Sequence, residues 1–105
     1  LALPTAQVFP FDARIHWPKQ IAGVEMDTYH RWMQVVVPGT LSGCPVINVP
    51  VGFNDKGLPM GMQIIGPVHK EFVLLQLAYQ YEQATRWNLD YSPNALRSSN
   101  GDGLV

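Results

Sequence analysis

Two runs in the middle of this chain, "VINVPVGF" at 46–53 and "MGMQIIG" at 60–66, read as β-strands with no wet face. Side chains alternate across a strand. The first run puts Ile47, Val49, Val51 and Phe53 on one side and Val46, Asn48, Pro50 and Gly52 on the other. The second puts Met60, Met62 and Ile64 on one side and Gly61, Gln63 and Ile65 on the other. None of these four sides carries a charge. An antiparallel pair with one face in water shows a clean apolar–polar alternation, whereas strands that are apolar or small on both sides belong in a sheet covered twice.

Between the runs lies "NDKGLP", a turn sequence with Gly57 placed for positive φ, so a hairpin with a six-residue connection is expected. Pro50 has no N–H to give to a ladder and belongs at an edge, a bulge or a strand end. The strongest helix is "KEFVLLQLAYQYEQATRW" at 70–87, where Leu74, Leu77, Ala78, Tyr81 and Ala84 recur at the spacing of a buried stripe. Gln76 and Gln83 should face water. Glu71 in the first turn and Arg86 in the last suit the helix dipole, and eighteen residues span roughly 27 Å. A shorter helix is expected over "DTYHRWMQVV" at 27–36, capped by Asp27 or Thr28 and stopped by Pro38-Gly39. Residues 1–10 read as a short extended segment, 11–26 as a long surface connection, and the residues after 90 as a polar surface tail. One strong helix covers at most one face of the hairpin from within. The rest of the sheet and its second cover are therefore expected from elsewhere: the chain is a fragment of a larger domain, or it forms an intimate oligomer.

Composition narrows the function classes. A chain of 105 residues fits a single domain and can bury roughly 65% of its unfolded surface. A formal net charge of −1 gives no basic face for nucleic acid. No apolar run approaches the roughly 20 residues of a spanning helix, so no membrane partner is expected. The opening "LALPTAQVFPFD" has no charged n-region, and Pro4 and Pro10 interrupt it, so it does not read as a signal peptide. It lacks an initiator Met, which suggests that Leu1 is not the start of the gene product. Cys44 is the only cysteine, so no internal disulfide or cysteine zinc site forms within one chain, and a cytoplasmic origin is the default.

The candidate chemistry is sparse. Cys44 with His30 is the conceivable nucleophile–base pair, set against the ordinary reading of a lone thiol between Gly43 and Pro45 as a small buried residue. His16, His30 and His69 match no short metal-ligand motif. Trp17, Trp32 and Trp87 with Tyr29 are either core or an aromatic pocket. No glycine loop has the spacing and following Lys-Ser/Thr of a phosphate site. No catalytic residue, cofactor site or metal site is therefore assigned within the chain.

The string "SGCPVINVPVGF…GLPMGMQIIGP…KEFVLLQLAYQYEQATRW" closely resembles the C-terminal part of the amidase signature family of serine hydrolases. The matching residues are Gly43, Pro45, Pro50 and Gly52, then Gly57, Leu58, Pro59, Gly61, Gln63 and Gly66, then Glu71, Leu74, Leu75, Ala78, Tyr81 and Glu82. The opening "LALPTAQVFPF" is similar to a family strand of the form L-x-x-P-T-x. The likeness covers residues 1–90, most sparsely over 11–38. It implies an α/β fold in which a hairpin of a mixed central sheet and a covering C-terminal helix form a segment of a larger amidase domain, with 91–105 as a tail. It implies glycines and prolines that shape strand ends where the sheet's rim meets an active site.

The family cleaves carboxamides with a Ser–cis-Ser–Lys triad drawn from upstream segments, and none of that triad is in this sequence. Ser42, Ser92, Ser98 and Ser99 lack the Gly-Ser-Ser-Gly setting, and Lys19, Lys56 and Lys70 lie in a connection, a turn and a helix start. The family's Asn shortly before G-x-P is replaced here by Gly39 or Thr40. Trp32 and Met33 fall in the stretch that in relatives runs near the substrate cleft, and they are the candidate substrate-binding residues. The expected partners are the remainder of the parent chain or a second copy, together with a small amide. The alternative is a non-catalytic module that completes a sheet or oligomerises.

Overall fold

A computed structural model describes residues 1–91, so the tail expected from 91 onward lies outside the described residues except for Tyr91. The strands are Ala2–Pro4 (β1), Gln20–Ile21 (β2), Val24–Glu25 (β3), Val46–Phe53 (β4) and Pro59–Ile65 (β5). A 3-10 segment, Tyr29–Val36, runs into the helix Val37–Ser42 (α1), and Glu71–Thr85 (α2) and Trp87–Asp90 (α3) close the described chain.

The hairpin forms as its turn chemistry dictates. Asn54 Oδ1 accepts from the N–H groups of Lys56 at 3.0 Å and Leu58 at 2.9 Å, and Gly57 takes φ +78. Because β5 begins at Pro59, the connection is one residue shorter than expected. The register runs Val46↔Ile65 to Pro50↔Gly61 and then skips Val51 before Gly52↔Met60. Pro50 thus sits beside a bulge, and on an edge strand, since the sheet order is β1-β5-β4. The whole sheet is antiparallel.

The register places Val46, Asn48 and Pro50 with Ile65, Gln63 and Gly61 on one face, and Ile47 and Val49 with Ile64 and Met62 on the other. α2 packs along β4, burying Val49, Leu74 and Ala78. Tyr81 Oη donates to the Pro50 carbonyl at 2.7 Å. The buried stripe is narrower than the periodicity predicts: Leu77 is 49% exposed. At about 100° per residue, Leu77 lies about 60° off the line through Leu74, Ala78 and Tyr81. Phe72, Val73, Leu75 and Tyr79 are exposed as well, so α2 is apolar on faces that nothing in the described chain covers.

The opposite face of the sheet has its own cover, contrary to the expectation that only one face is covered from within. Gly39 of α1 is buried there, and a Cβ on it would lie 3.2 Å from Val46 Cγ2 and 3.8 Å from Ile65 Cδ1. Pro38-Gly39 therefore does not stop a helix. Pro38 occupies the first turn of α1, where its missing N–H has no partner to lose. The run ends instead at Gly43, in the left-handed region at φ +68.

The connection 11–26 contains a small hairpin that its sequence did not announce. Ala22 and Gly23 both take positive φ, the two-residue turn that matches strand twist, and Met26 beyond it is buried. Arg86, at φ 57, ends α2 and redirects the chain. The rings of Phe53, Trp87 and Tyr91 then gather at centroid distances of 5.2–5.9 Å.

Candidate functional site

Polar side chains converge where the end of β1 meets the middle of the hairpin. Thr5 and Asn48 hydrogen-bond across the sheet face, Thr5 Oγ1 donating to Asn48 Oδ1. Both lie over Gly61, where a Cβ would fall 2.6 Å from Asn48 Oδ1 and 2.8 Å from Thr5 Oγ1. Next to them Gln63 is buried, 5% exposed, and its Nε2 donates to the carbonyls of Pro4 and Val35, both at 2.9 Å. Gln7 reaches the same segment: Val35 N–H donates to its Oε1 at 2.8 Å, and its Nε2 donates to the Arg31 carbonyl at 3.1 Å.

Two hollows flank this cluster and share Thr5. One, of about 360 Å³, presents the polar side chains of Thr40, Asn48 and Gln63, with Cys44, within a lining that is otherwise apolar. The other, of about 240 Å³, is apolar and includes Val8, Phe9, Phe11, Trp32 and Met60. Neither lining contains a charged side chain. The pair of hollows therefore suits a neutral group that hydrogen-bonds at one end and is apolar at the other.

The candidate substrate residues fall on the helical wall. Trp32 is half-buried, packs edge-on to Phe11 at 5.8 Å and Tyr29 at 6.1 Å, and keeps a buried Nε1 without a hydrogen-bond partner among the described residues. Met33 is half-buried at a kink of the 3-10 segment (φ −113, ψ 19), and the hollow beside Trp32 does not include it. Gly39 and Thr40, standing where the family's Asn is absent, both line the first hollow.

Cys44 and His30 do not come together as a nucleophile and base. The thiol turns to the Ser42 carbonyl at 3.8 Å, and the exposed His30 ring lies edge-on to Tyr29. The Ser42 hydroxyl closes α1, donating to Gly39 O at 3.0 Å and accepting from Cys44 N–H at 3.1 Å. Lys19 Nζ sits 3.3 Å over the Trp17 ring, and Lys70 precedes α2, so neither lysine lines these hollows. Among the described residues no cluster of three or more His, Cys, Asp or Glu could hold a metal, and no helix is long and apolar enough to cross a membrane. The Asp12 carboxyl is held below its usual range by side-chain and backbone hydrogen bonds from Arg14, an exposed pair outside both hollows.

Sequence reasoning missed the Thr5–Asn48 pair and the two glutamines. The signal was present in Gln63 and Asn48, the lone amides in otherwise apolar strands. Such a residue in a twice-covered sheet must find partners, and the register places the two side by side.

Comparison with known proteins gives a consistent picture. The Amidase family model matches residues 1–75. A glutamyl-tRNA(Gln) amidotransferase subunit from Synechococcus sp. is 43% identical over 84 residues, covering 80% of this chain and 16% of that protein. The protein of the same name from Nostoc sp. is 51% identical over 55 residues, 52% of this chain and 11% of that protein. The one from Thermodesulfovibrio yellowstonii is 56% identical over 48 residues, 46% of this chain and 10% of that protein. The chain thus spans about a tenth to a sixth of the length of these relatives. No solved structure matches it. A family match over more than two-thirds of the sequence and an α/β segment of hairpin and covering helix lead to one conclusion: the chain belongs to the amidase signature family.

Proposed function

We propose that the protein of which these residues form the C-terminal segment hydrolyses a carboxamide C–N bond. An upstream serine would attack the amide carbon, the amine would leave, and water would release the acyl group. The supporting observation is the family match over residues 1–75. In this reading the chain supplies no nucleophile. Residues 1–90 contribute part of the central sheet, its two covers and one side of the substrate cleft, and 91–105 follow as a tail. Trp32 and the neighbouring apolar side chains form the wall against the acyl or amine substituent, with Met33 supporting that wall at the kink.

The uncharged linings favour small neutral amides. The relatives' name adds glutamine as an ammonia donor to the substrates worth assaying. The partner of this segment is the remainder of its own chain, and a cytoplasmic setting accords with the lone cysteine.

A panel of aliphatic and aromatic carboxamides, with glutamine, tests the reading on the full-length protein and on the 105 residues alone. Turnover is expected from the first and not from the second, and Cys44→Ala should leave it intact. Turnover by the short chain, abolished by Cys44→Ala, would replace the serine reading with a cysteine hydrolase. The uncovered apolar flank of α2 favours a second reading, a non-catalytic module that completes or pairs sheets. A full-length protein that turns over none of the panel would support it.

A further inference from the structure

We infer that Gln7 and Gln63 are positioning residues that set the separation between the two walls of the candidate cleft, an assignment that rests on the amidase reading. Each hollow has one wall on the sheet side, formed by Val46, Asn48 and Gln63 in the first and by Met60 and Gly61 in the second. The opposite wall includes Val36 with Gly39 and Thr40 of α1 in the first and Trp32 of the 3-10 segment in the second. The backbone of Val35 is gripped on both sides of its Cα: its N–H donates to Gln7 Oε1 at 2.8 Å, and its C=O accepts from Gln63 Nε2 at 2.9 Å. Each glutamine has a second hold, Gln7 on the Arg31 carbonyl and Gln63 on the Pro4 carbonyl. The grips fall on both sides of the Met33 kink and one residue from Trp32.

A reason for this arrangement lies in the backbone. The 3-10 segment is two short helices meeting at the non-helical Met33, the short pieces in which this helix type occurs, and the break between them leaves peptide groups that neither helix satisfies internally. Two side-chain amides take that role, because each offers an acceptor and donors at the end of a long, uncharged arm. Gln63 is buried between Pro4 O and Val35 O, so it joins β1 to the segment directly. A glutamate there would turn a carboxylate toward two carbonyl oxygens, and a methionine would fill the volume without donating. Loss of either grip leaves the sheet wall in place and frees the Trp32 wall.

The test uses the full-length protein with Gln7→Met, Gln7→Glu and Gln63→Met. Exchange of the Val35 amide should quicken about tenfold in Gln7→Met and clearly less in Gln7→Glu, which keeps the acceptor oxygen while losing the donor to the Arg31 carbonyl. In Gln7→Met, KM for phenylacetamide should rise about fivefold with kcat little changed, while KM for acetamide, too small to reach the Trp32 wall, holds; in Gln63→Met, whose side chain also lines one hollow, KM for phenylacetamide should rise by at least as much. Unchanged Val35 exchange overturns the assignment. So does equal loss on both amides in Gln7→Met, the mark of general destabilisation. Should Gln63→Met fail to fold, Gln7→Met decides alone. If the wild type cleaves no amide, the amidase reading falls separately, and calorimetric binding of phenylacetamide, expected to weaken about fivefold in Gln7→Met, judges the glutamines. No binding by the wild type, or binding that Gln7→Met leaves unaltered, sinks the assignment.

Discussion

Gly61 offers the sharpest test of the packing, because the sign of a single methyl group reverses with its surroundings. Its φ is not in the left-handed region, so the backbone accepts alanine. In open space Gly→Ala in a strand would stabilise by roughly 0.5–1 kcal/mol through the unfolded chain's lost freedom. Here the added Cβ would lie 2.6 Å from Asn48 Oδ1 and 2.8 Å from Thr5 Oγ1. These atoms bond each other, so neither withdraws without breaking that hydrogen bond, about 1 kcal/mol, and leaving a preferred rotamer, about 0.5–1.5 kcal/mol. Overpacking of the remaining contacts adds about 1 kcal/mol. Gly61→Ala should therefore destabilise by about 1.5–3 kcal/mol net. In a Thr5→Ala/Asn48→Ala background the obstructing oxygens are gone, and the same substitution should be neutral or slightly stabilising. Urea denaturation of the four proteins gives the coupling free energy directly. Equal losses in both backgrounds would refute the argument, since the cost would then have nothing to do with the Thr5–Asn48 pair.

Leu74→Ala, at a site 6% exposed, should cost about 2–4 kcal/mol in urea denaturation of the 105-residue chain. Leu77→Ala, at 49% exposure, should cost well under half as much in the same chain, and equal losses would restore the broader buried stripe. Gly57→Val forces a β-branched residue into φ +78, and chemical denaturation should show a loss of about 1–2 kcal/mol. The Asp12 carboxyl is depressed by Arg14, so its small contribution is present above the unfolded carboxylate range and is lost as pH falls through its lower folded value. A stability profile for Asp12→Asn should accordingly converge with the wild type at the acid end, and divergence there would contradict the pairing.

The hairpin was legible because its determinants are local: Asn54 and Gly57 fix the turn, and two dense apolar runs on either side of it mark the strands. The long helix was legible for the same reason, though not its buried width. Leu77 is as apolar as Leu74, and only the position of β4 decides which of them meets the sheet. Pro38-Gly39 misled because the same dipeptide ends one helix or opens another, and the choice rests on whether Gly39 has a sheet to press against. The candidate site was the least readable part. Trp32 and Met33 were singled out only through family likeness, and the glutamines that hold their segment act across 28 residues of sequence, beyond the reach of any local pattern.

One further consequence concerns β4, whose outer side no described strand occupies. An exposed strand offers a comb of donors and acceptors on which a foreign chain can extend the sheet. Gly61 spends its carbonyl on Thr5 N–H, away from Pro50. Pro50 therefore presents its own peptide groups outward, where the nitrogen has no hydrogen and the oxygen is already taken by Tyr81 at 2.7 Å. A tooth is missing from the comb and its neighbour is stoppered, one residue from a bulge that bends the strand. Self-association of the isolated chain should then run through the apolar flank of α2 and stay amorphous. Tyr81→Phe, which unstops the carbonyl, is the change that should make its deposits begin to bind amyloid dyes.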